Sequence, residues 1–345
     1  MKKCFYRVTV GGVDISARLR PILISLTAND KKGVGSDTAD IEIDDTEGRV
    51  VMPAIGAMME IDIGWDEGAA AQVFSGKVDE VRSKFGRSAG RTLSITAKGV
   101  DSRGRAKEPQ TRSMDRMSLQ SALVEAGRDA GVTDIRVDSQ FRSIVRDWWG
   151  MDAESFQHFG ERLAREVGGI FKISGQRAVL AREGSGTSPS GAPLPTITAA
   201  AGRNLIEWDI APQMGRSQWR ETRGRYYDSA AGRWRDTRVQ VPTEGAEASA
   251  TRRHPAPNQG EAQSGAESDR ASAEKNKGSG RVTIDGEAAA RPEGTCIVQG
   301  ARPGIDGAYR IDSVEHSVNR SAGWLTRLEL KQPAGSAGRD SRRSR

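Results

Sequence analysis

Cysteine is nearly absent: Cys4 and Cys296 are the only two in 345 residues. Neither sits in a CxxC pair or a Cys/His cluster, which excludes the usual structural zinc sites. Thiols so few and so far apart suit a reducing cytosol, with an interchain disulfide left open. Long apolar runs are missing too, and nothing approaches the ~20 residues of a membrane span. The opening "MKKCFYRVTVGG" has no apolar stretch behind its lysines, so no signal peptide is expected and synthesis in a cytoplasm is. The fingerprints of common chemistries are absent or broken. There is no H-E-x-x-H helix. "FSGKV" has Ala71 where a phosphate loop needs its leading glycine, and Val78 replaces the hydroxyl residue that would hold magnesium. "GVGSDT", from Gly33, lacks the third glycine and the following helix of a dinucleotide site. Asp152 and Glu154 read as the first turn of a helix, where the dipole favours acids without catalysis. No catalytic residue, cofactor or metal is expected.

A strong charge of one sign is also lacking. Fifty-two basic against 46 acidic residues leave +6 and a pI near 9.4, spread widely enough to describe a mixed surface. The length exceeds a domain of roughly 100–200 residues, so two or three domains are expected. Aromatics make up only 5% while glycines number 40, which suits short strands joined by tight turns.

What is present is mostly two-residue alternation. In "ADIEIDD" Ala39, Ile41 and Ile43 share one face; Met59, Ile61, Ile63 and Trp65 do the same, as do Leu93, Ile95 and Ala97. Two helices interrupt. The first is expected from an N-cap at Ser118 to a stop at Gly131. The second is expected from a cap at Asp152, with Met151 and Phe156 as a hydrophobic staple, to Gly168. Phe156, Phe159, Leu163 and Val167 line its apolar face and leave His158 on the surface. A hairpin turning at Gly175-Gln176 follows, and then a Gly/Ser/Pro connector from Gly184 to Pro195. From Thr243 to Gly280 no Val, Ile, Leu, Met, Phe, Trp or Tyr occurs, so this stretch has little to bury and is expected to need a partner for order. Ser264 and Glu267 have capping-box spacing for a short polar helix through Lys277.

The stretch from Asp306 to Lys331 pairs Glu315 with His316, which suggests a base and its orienting carboxylate. The alternation of Val314, His316 and Val318, and of Trp324, Thr326, Leu328 and Leu330, makes it a hairpin instead. Adjacent strand residues face opposite ways, so Glu315 does not reach the imidazole, and His316 reads as a structural residue. Its replacement by alanine is expected to be mildly destabilising. A second hairpin, Arg216 to Arg238, holds seven arginines against three acids with Trp219, Tyr226, Tyr227 and Trp234 interleaved. Single-stranded nucleic acid would use such a set. Subunit interfaces also favour Trp, Tyr and Arg, which makes Trp219, Arg225, Tyr226, Tyr227, Arg233 and Trp234 candidate interface residues.

Four stretches in order resemble one family. They are "LTANDKKGVGSDTADIEIDD", "ESFQHFGERLAREVGGIFKI", the Ala/Ser/Glu-rich segment before "GSGRVTIDGE", and "GIDGAYRIDSVEHSVNRSAGWLTRLEL". Together they are similar to the late control protein D family of contractile-tailed bacteriophages, whose members are baseplate hub proteins. The resemblance implies a mainly β fold with a small α+β insertion: two tail-tube-like β-barrel domains plus a helix-containing middle domain. The barrels would occupy 1–108 and 196–242 with 281–332, and the middle domain 109–195. A polar segment would fill 243–280, where the family's Ala-rich helix is here short and polar, and a basic tail 333–345. The implied protein is a non-enzymatic homotrimer of the virion baseplate, assembled in the host cytoplasm. It would join a hexameric tail tube to a trimeric spike, alongside other baseplate proteins, while DNA passes through its lumen without specific binding. Two alternatives stay open, a tail-associated peptidoglycan hydrolase and a nucleic-acid binder using hairpin 216–238. An isolated acid pair in an apolar setting, which the first would need, is missing.

Overall fold

The computed structural model describes residues 3–33, 37–66, 68, 70–87, 90–100, 104–187, 192–215, 218–241, 243, 245–340 and 342. The centre of "GVGSDT", part of the 184–195 connector, Arg216 and most of the last five residues lie outside the described residues.

The first block holds β1 (Phe5–Val10), β2 (Val13–Asp14), α1 (Ser16–Leu19), β3 (Leu23–Lys31), β4 (Thr38–Asp44), β5 (Met58–Gly64), β6 (Ala71–Gly86) and β7 (Gly90–Lys98). The middle region holds β8 (Pro109–Ser118), α2 (Leu119–Asp129), β9 (Asp134–Val137), α3 (Ser139–Arg142), β10 (Val145–Ser155), α4 (Phe156–Val167), β11 (Gly169–Ser174) and β12 (Arg177–Arg182). The remainder holds β13 (Thr196–Ala200), β14 (Leu205–Ala211), β15 (Glu221–Asp228), β16 (Arg233–Gln240), β17 (Ser249–Thr251), α5 (Gln259–Lys275), β18 (Ser279–Asp285), β19 (Thr295–Gln299), β20 (Gly307–Asn319) and β21 (Gly323–Ala334).

Alternation builds the first core. Ala39, Ile41 and Ile43 of β4, Met59, Ile61 and Ile63 of β5, and Leu93, Ile95 and Ala97 of β7 are all buried, at roughly 1.5–3 kcal/mol for each large side chain. These strands continue into those of the last third as one thirteen-stranded sheet. Its order is β14-β18-β21-β20-β3-β4-β7-β6-β5-β1-β2, with β19 pairing β20 and β13. The long strand β20 makes the junction. Its first half pairs with β19 (Thr295 to Val298 against Arg310 to Gly307), and its second half pairs with β3 (Ser313 to Asn319 against Lys31 to Ser25). Register shifts between Ala308 and Arg310, and between Ile311 and Ser313, lie where the partner changes. The β20–β21 hairpin therefore serves two cores. Val318 and Trp324 at its tip enter the first, while Tyr309, Ile311, Val314, Leu328 and Leu330 at its base fill the second with Ile197, Val282, Ile284 and Val298.

The middle region has its own core, in which Trp149, Phe156, Phe159 and Leu163 pack on Phe171 and Leu180. Ser118 caps α2, accepting from the Ser121 N–H at 3.2 Å, and Gly168 ends α4 at φ +71° in the left-handed region. The cap of α4 is Ser155, not Asp152: its Oγ accepts from the His158 N–H at 3.2 Å. The strand β10 runs on to Ser155 through a bulge between Met151 and Glu154, with Ala153 at φ +45°. Asp152 and Glu154 thus lie on a bulged strand, and Glu154 holds the Arg162 guanidinium at 2.8 Å. Strands β8, β9 and β10 themselves carry no clean apolar alternation and were not foreseen.

The polar stretch after Thr243 is ordered by the chain itself, contrary to the expectation that it needs a partner. Its helix α5 begins at Gln259, earlier than Ser264 suggests. Asn258 is the cap, accepting from the Glu261 N–H at 2.9 Å and donating to the Glu261 carboxylate at 3.1 Å. Small residues replace bulk. Ala262, Gly265 and Ala266 lie against the β15–β16 hairpin so closely that a Cβ on Gly224 would stand 2.2 Å from the Ala262 carbonyl oxygen. Thr222 donates its hydroxyl proton to the Ala266 carbonyl at 2.7 Å, which ties helix to hairpin. Among the described residues the hairpin pairs with β17, with one further bridge from Tyr226 to Ala256, and forms a three-stranded sheet apart from the large one.

Candidate interaction surfaces

Hairpin β15–β16 separates the six residues picked from its sequence. On the outer face Tyr227 and Trp234 are cross-strand partners, with ring centroids 5.4 Å apart in an edge-to-face contact. The Arg225 guanidinium lies 5.1 Å from the Trp234 ring and 3.9 Å from Asp236. Both rings stay about half exposed, at 48% and 50%. Arg233 is exposed too, but alternation turns it to the other face, with its ladder partner Asp228. Tyr226 does not belong to this surface: alternation turns it to the inner face, where it is buried. Trp219 precedes β15 and is half-buried. Three of the six, Arg225, Tyr227 and Trp234, are thus brought together.

A second surface escaped the sequence reading. The thirteen-stranded sheet ends at β14 on one side, and among the described residues this strand pairs with β18 alone apart from a single bridge from Leu205 to Ala201. Its residues from Ile206 to Asp209 are all exposed, with Ile206 at 53% and Trp208 at 42%. Read by period alone, Ile206, Trp208 and Ile210 would face a core. At the other end of the sheet Val13 is exposed, and nearby Val51, Met52, Ile55 and Met58 project from the β4–β5 connection and the start of β5.

His316 sits at the join of the two cores and is 1% exposed. The Thr326 hydroxyl accepts from the Glu287 N–H at 2.9 Å and shares a hydrogen bond with His316 Nδ1, 3.0 Å away. Burial, reinforced by the Arg291 charge, pushes the His316 pKa down to about 4. Glu315 faces the other way and pairs with Arg327 at 3.2 Å, so no dyad exists. Burial pushes the free thiols of Cys4 and Cys296 up to about 11 and about 12, which leaves both protonated at neutral pH.

Charged groups make a different join. Lys172 of β11 reaches Asp30 at 2.8 Å and Asp37 at 3.0 Å. Burial works against the Lys172 ammonium, but those two carboxylates outweigh it and hold its pKa up. Lys32 contacts Glu183 and lies 3.0 Å from Glu293, while Lys275 of α5 reaches Glu183 at 3.0 Å. One cluster therefore binds the first block, the middle region, α5 and the loop before β19. Among the described residues no group of three or more His, Cys, Asp or Glu side chains could hold a metal ion, and no helix is long and apolar enough to cross a membrane.

A model of the family described as phage tail baseplate hub (GPD) matches residues 36–322, most of the chain. This chain belongs to the phage tail baseplate hub family. The probable baseplate hub protein of Escherichia phage 186 is 28% identical over 193 residues, and that of Escherichia phage P2 is 29% identical over 195. Each alignment covers 56% of this hub-family chain and 49% of the relative, so the match spans about half the length of these curated relatives. The fold is shared more widely. The 43 kDa tail protein of prophage MuSo2 from Shewanella oneidensis superposes with a TM-score of 0.72 at 15% identity, covering 94% of this chain and 97% of its own. A tail protein from Neisseria meningitidis MC58 gives 0.68 at 17% identity, covering 98% and 99%. The hub fold is mainly β, as the alternation implied.

Proposed function

We propose that this chain is the repeating subunit of a baseplate hub ring in a contractile phage tail or related injection machine. The ring would adapt a hexameric tail tube to a trimeric spike. One observation carries this reading: two β blocks with separate cores share the β20–β21 hairpin and end in an unpaired, apolar-rich edge at β14. Three such chains supply six β blocks around one axis, while the other side of the ring keeps threefold symmetry. Strand edges left open in the single chain would be closed by neighbours. The role is structural and needs no reacting group, in keeping with a neutral, buried His316. The lumen would pass DNA without base-specific contacts.

The test is the mass of the purified full chain in solution, alone and with its cognate trimeric spike protein. A trimer under either condition is expected. A strict monomer under both overturns the ring, and cell-wall turnover by the purified protein would overturn the non-enzymatic role.

A further inference from the structure

Edge strands normally carry lysine, proline or a covering element that keeps other strands away. β14, with the sequence LIEWDIA, has no Lys and no Pro. Its exposed charges are all acidic. Glu207 has no ion-pair partner among the described residues, and Asp209, 74% exposed, reaches only toward Arg281 at 3.7 Å. β16, with the sequence RWRDTRVQ, is also a sheet edge, since among the described residues it pairs with β15 alone. Its charge is the opposite. Arg233, Arg235 and Arg238 stand against Asp236, and among the described residues neither Arg233 nor Arg238 has a carboxylate partner. Each edge also exposes a tryptophan, Trp208 on one and Trp234 on the other.

From these complementary edges we infer that β14 of one copy pairs with β16 of the next copy of this chain. The inference rests on the ring reading and names the surfaces that close it. The two strands have similar lengths of seven and eight residues, so a ladder can run along both. Opposite charges fix which edge meets which, because β14 against β14 would oppose carboxylates and β16 against β16 would oppose guanidinium groups. The contact is heterologous: each copy uses β14 on one side and β16 on the other, so pairing propagates until rotation closes the ring. The basic edge alone would also attract a polyanion. A strand edge, however, offers carbonyl oxygens beside its N–H groups, and only another strand satisfies both.

The experiment uses the full chain, with its spike protein where the wild type needs it, and reads mass in solution and the dissociation constant of the oligomer. Glu207→Arg with Asp209→Arg, and separately Arg233→Glu with Arg238→Glu, should each weaken assembly by about 100-fold or more. The four substitutions together restore opposite signs and should recover most of it. All four side chains are exposed, and an unchanged urea midpoint will establish that folding is intact. As an independent readout on the wild type, amides of 205–211 and 233–240 should exchange slowly in the oligomer and quickly on dilution to monomer. The inference is overturned if either charge-reversed pair keeps wild-type affinity, if the fourfold variant fails to recover, or if exchange is equal in oligomer and monomer. Loss of DNA binding at unchanged mass in the arginine variant would likewise overturn it, assigning β16 to nucleic acid. A wild type that stays monomeric with and without spike would instead remove the ring reading itself.

Discussion

Between β3 and β20 the two β blocks meet through a backbone ladder from Ser313–Lys31 to Asn319–Ser25, roofed by Trp65, Trp324 and the buried His316. The middle region meets the same sheet through Lys172 with Asp30 and Asp37, and through Lys32, Glu183 and Lys275. The first join removes apolar surface from water and fills a ladder, so opening it exposes both cores. The second exchanges ion pairs for hydration at modest cost, since partly exposed pairs contribute only about 0–1 kcal/mol each. The two β blocks should therefore behave as one cooperative unit, and the middle region as an attachment that can part from it.

Trp324→Ala strikes the first join hardest. The side chain is 2% exposed and its ring lies 5.0 Å from that of Trp65, so truncation should cost about 3–5 kcal/mol. The urea midpoints of both β blocks should fall together. A shift confined to one block would mean that the shared sheet does not couple them.

Acid should separate the two joins by window. His316 titrates at about 4 in the folded chain against 6.5 when exposed. Between those values the unfolded state binds the extra proton. Stability is fully present above about pH 6.5, falls as pH drops, and has lost about 3 kcal/mol near pH 4. His316→Gln should flatten that slope between pH 6.5 and 4, at an initial cost larger than the mild effect the sequence suggested, because the site is fully buried. Glu183 behaves otherwise. Burial works against its charge, but Lys32 and Lys275 outweigh this and hold its carboxyl below 4.5, so its share is lost only at lower pH. Urea denaturation across pH 7 to 3.5, with and without the histidine, is the measurement. An unchanged slope in the variant would remove His316 as its source.

How far the sequence could be read follows from the same physics. Ala39 to Ile43, Met59 to Ile63 and Tyr309 to Leu330 were legible because one buried face forces a two-residue period. Asp152 was misplaced because a bulge at Ala153 breaks that period, and a cap looks the same on either side of it. The exposure of Trp208 was not legible because it depends on which strand ends the sheet, which is a tertiary fact. Arg225, Tyr227 and Trp234 were legible as a group by composition, whereas the burial of Tyr226 depends on α5, a helix with no large apolar residue to announce it. The family resemblance supplied what period could not, namely that the blocks before and after the insertion belong to one assembly.

Gly224→Ala probes how that unannounced helix is held. The added methyl would meet the Ala262 carbonyl oxygen at 2.2 Å, a backbone atom that yields only if α5 moves. A cost of about 1–3 kcal/mol is expected, confined to the hairpin and α5. Faster amide exchange should appear over 259–275 with no change in the β20–β21 ladder. Exchange that speeds up equally in both would mean that α5 unfolds only with the whole chain.

The smallest effect should come from Lys172→Met, which keeps the side chain's length and removes its charge from the second join. The group is about one-third exposed, so screening limits the loss to about 1 kcal/mol, and added salt should shrink it further. Its pH dependence carries more information than its size. Asp37 already has a raised pKa through burial and the neighbouring Asp30, with Lys172 acting against both. Without the ammonium, the two carboxylates repel and Asp37 takes up a proton more readily. The penalty of Lys172→Met should therefore be greatest at neutral pH and fade as pH falls. Limited proteolysis of the 184–195 connector would report it. Cleavage should speed up at pH 7 and low salt, and approach the wild-type rate at pH 5. Equal acceleration at both would place the role of Lys172 in packing and remove the distinction between a charged join and an apolar one.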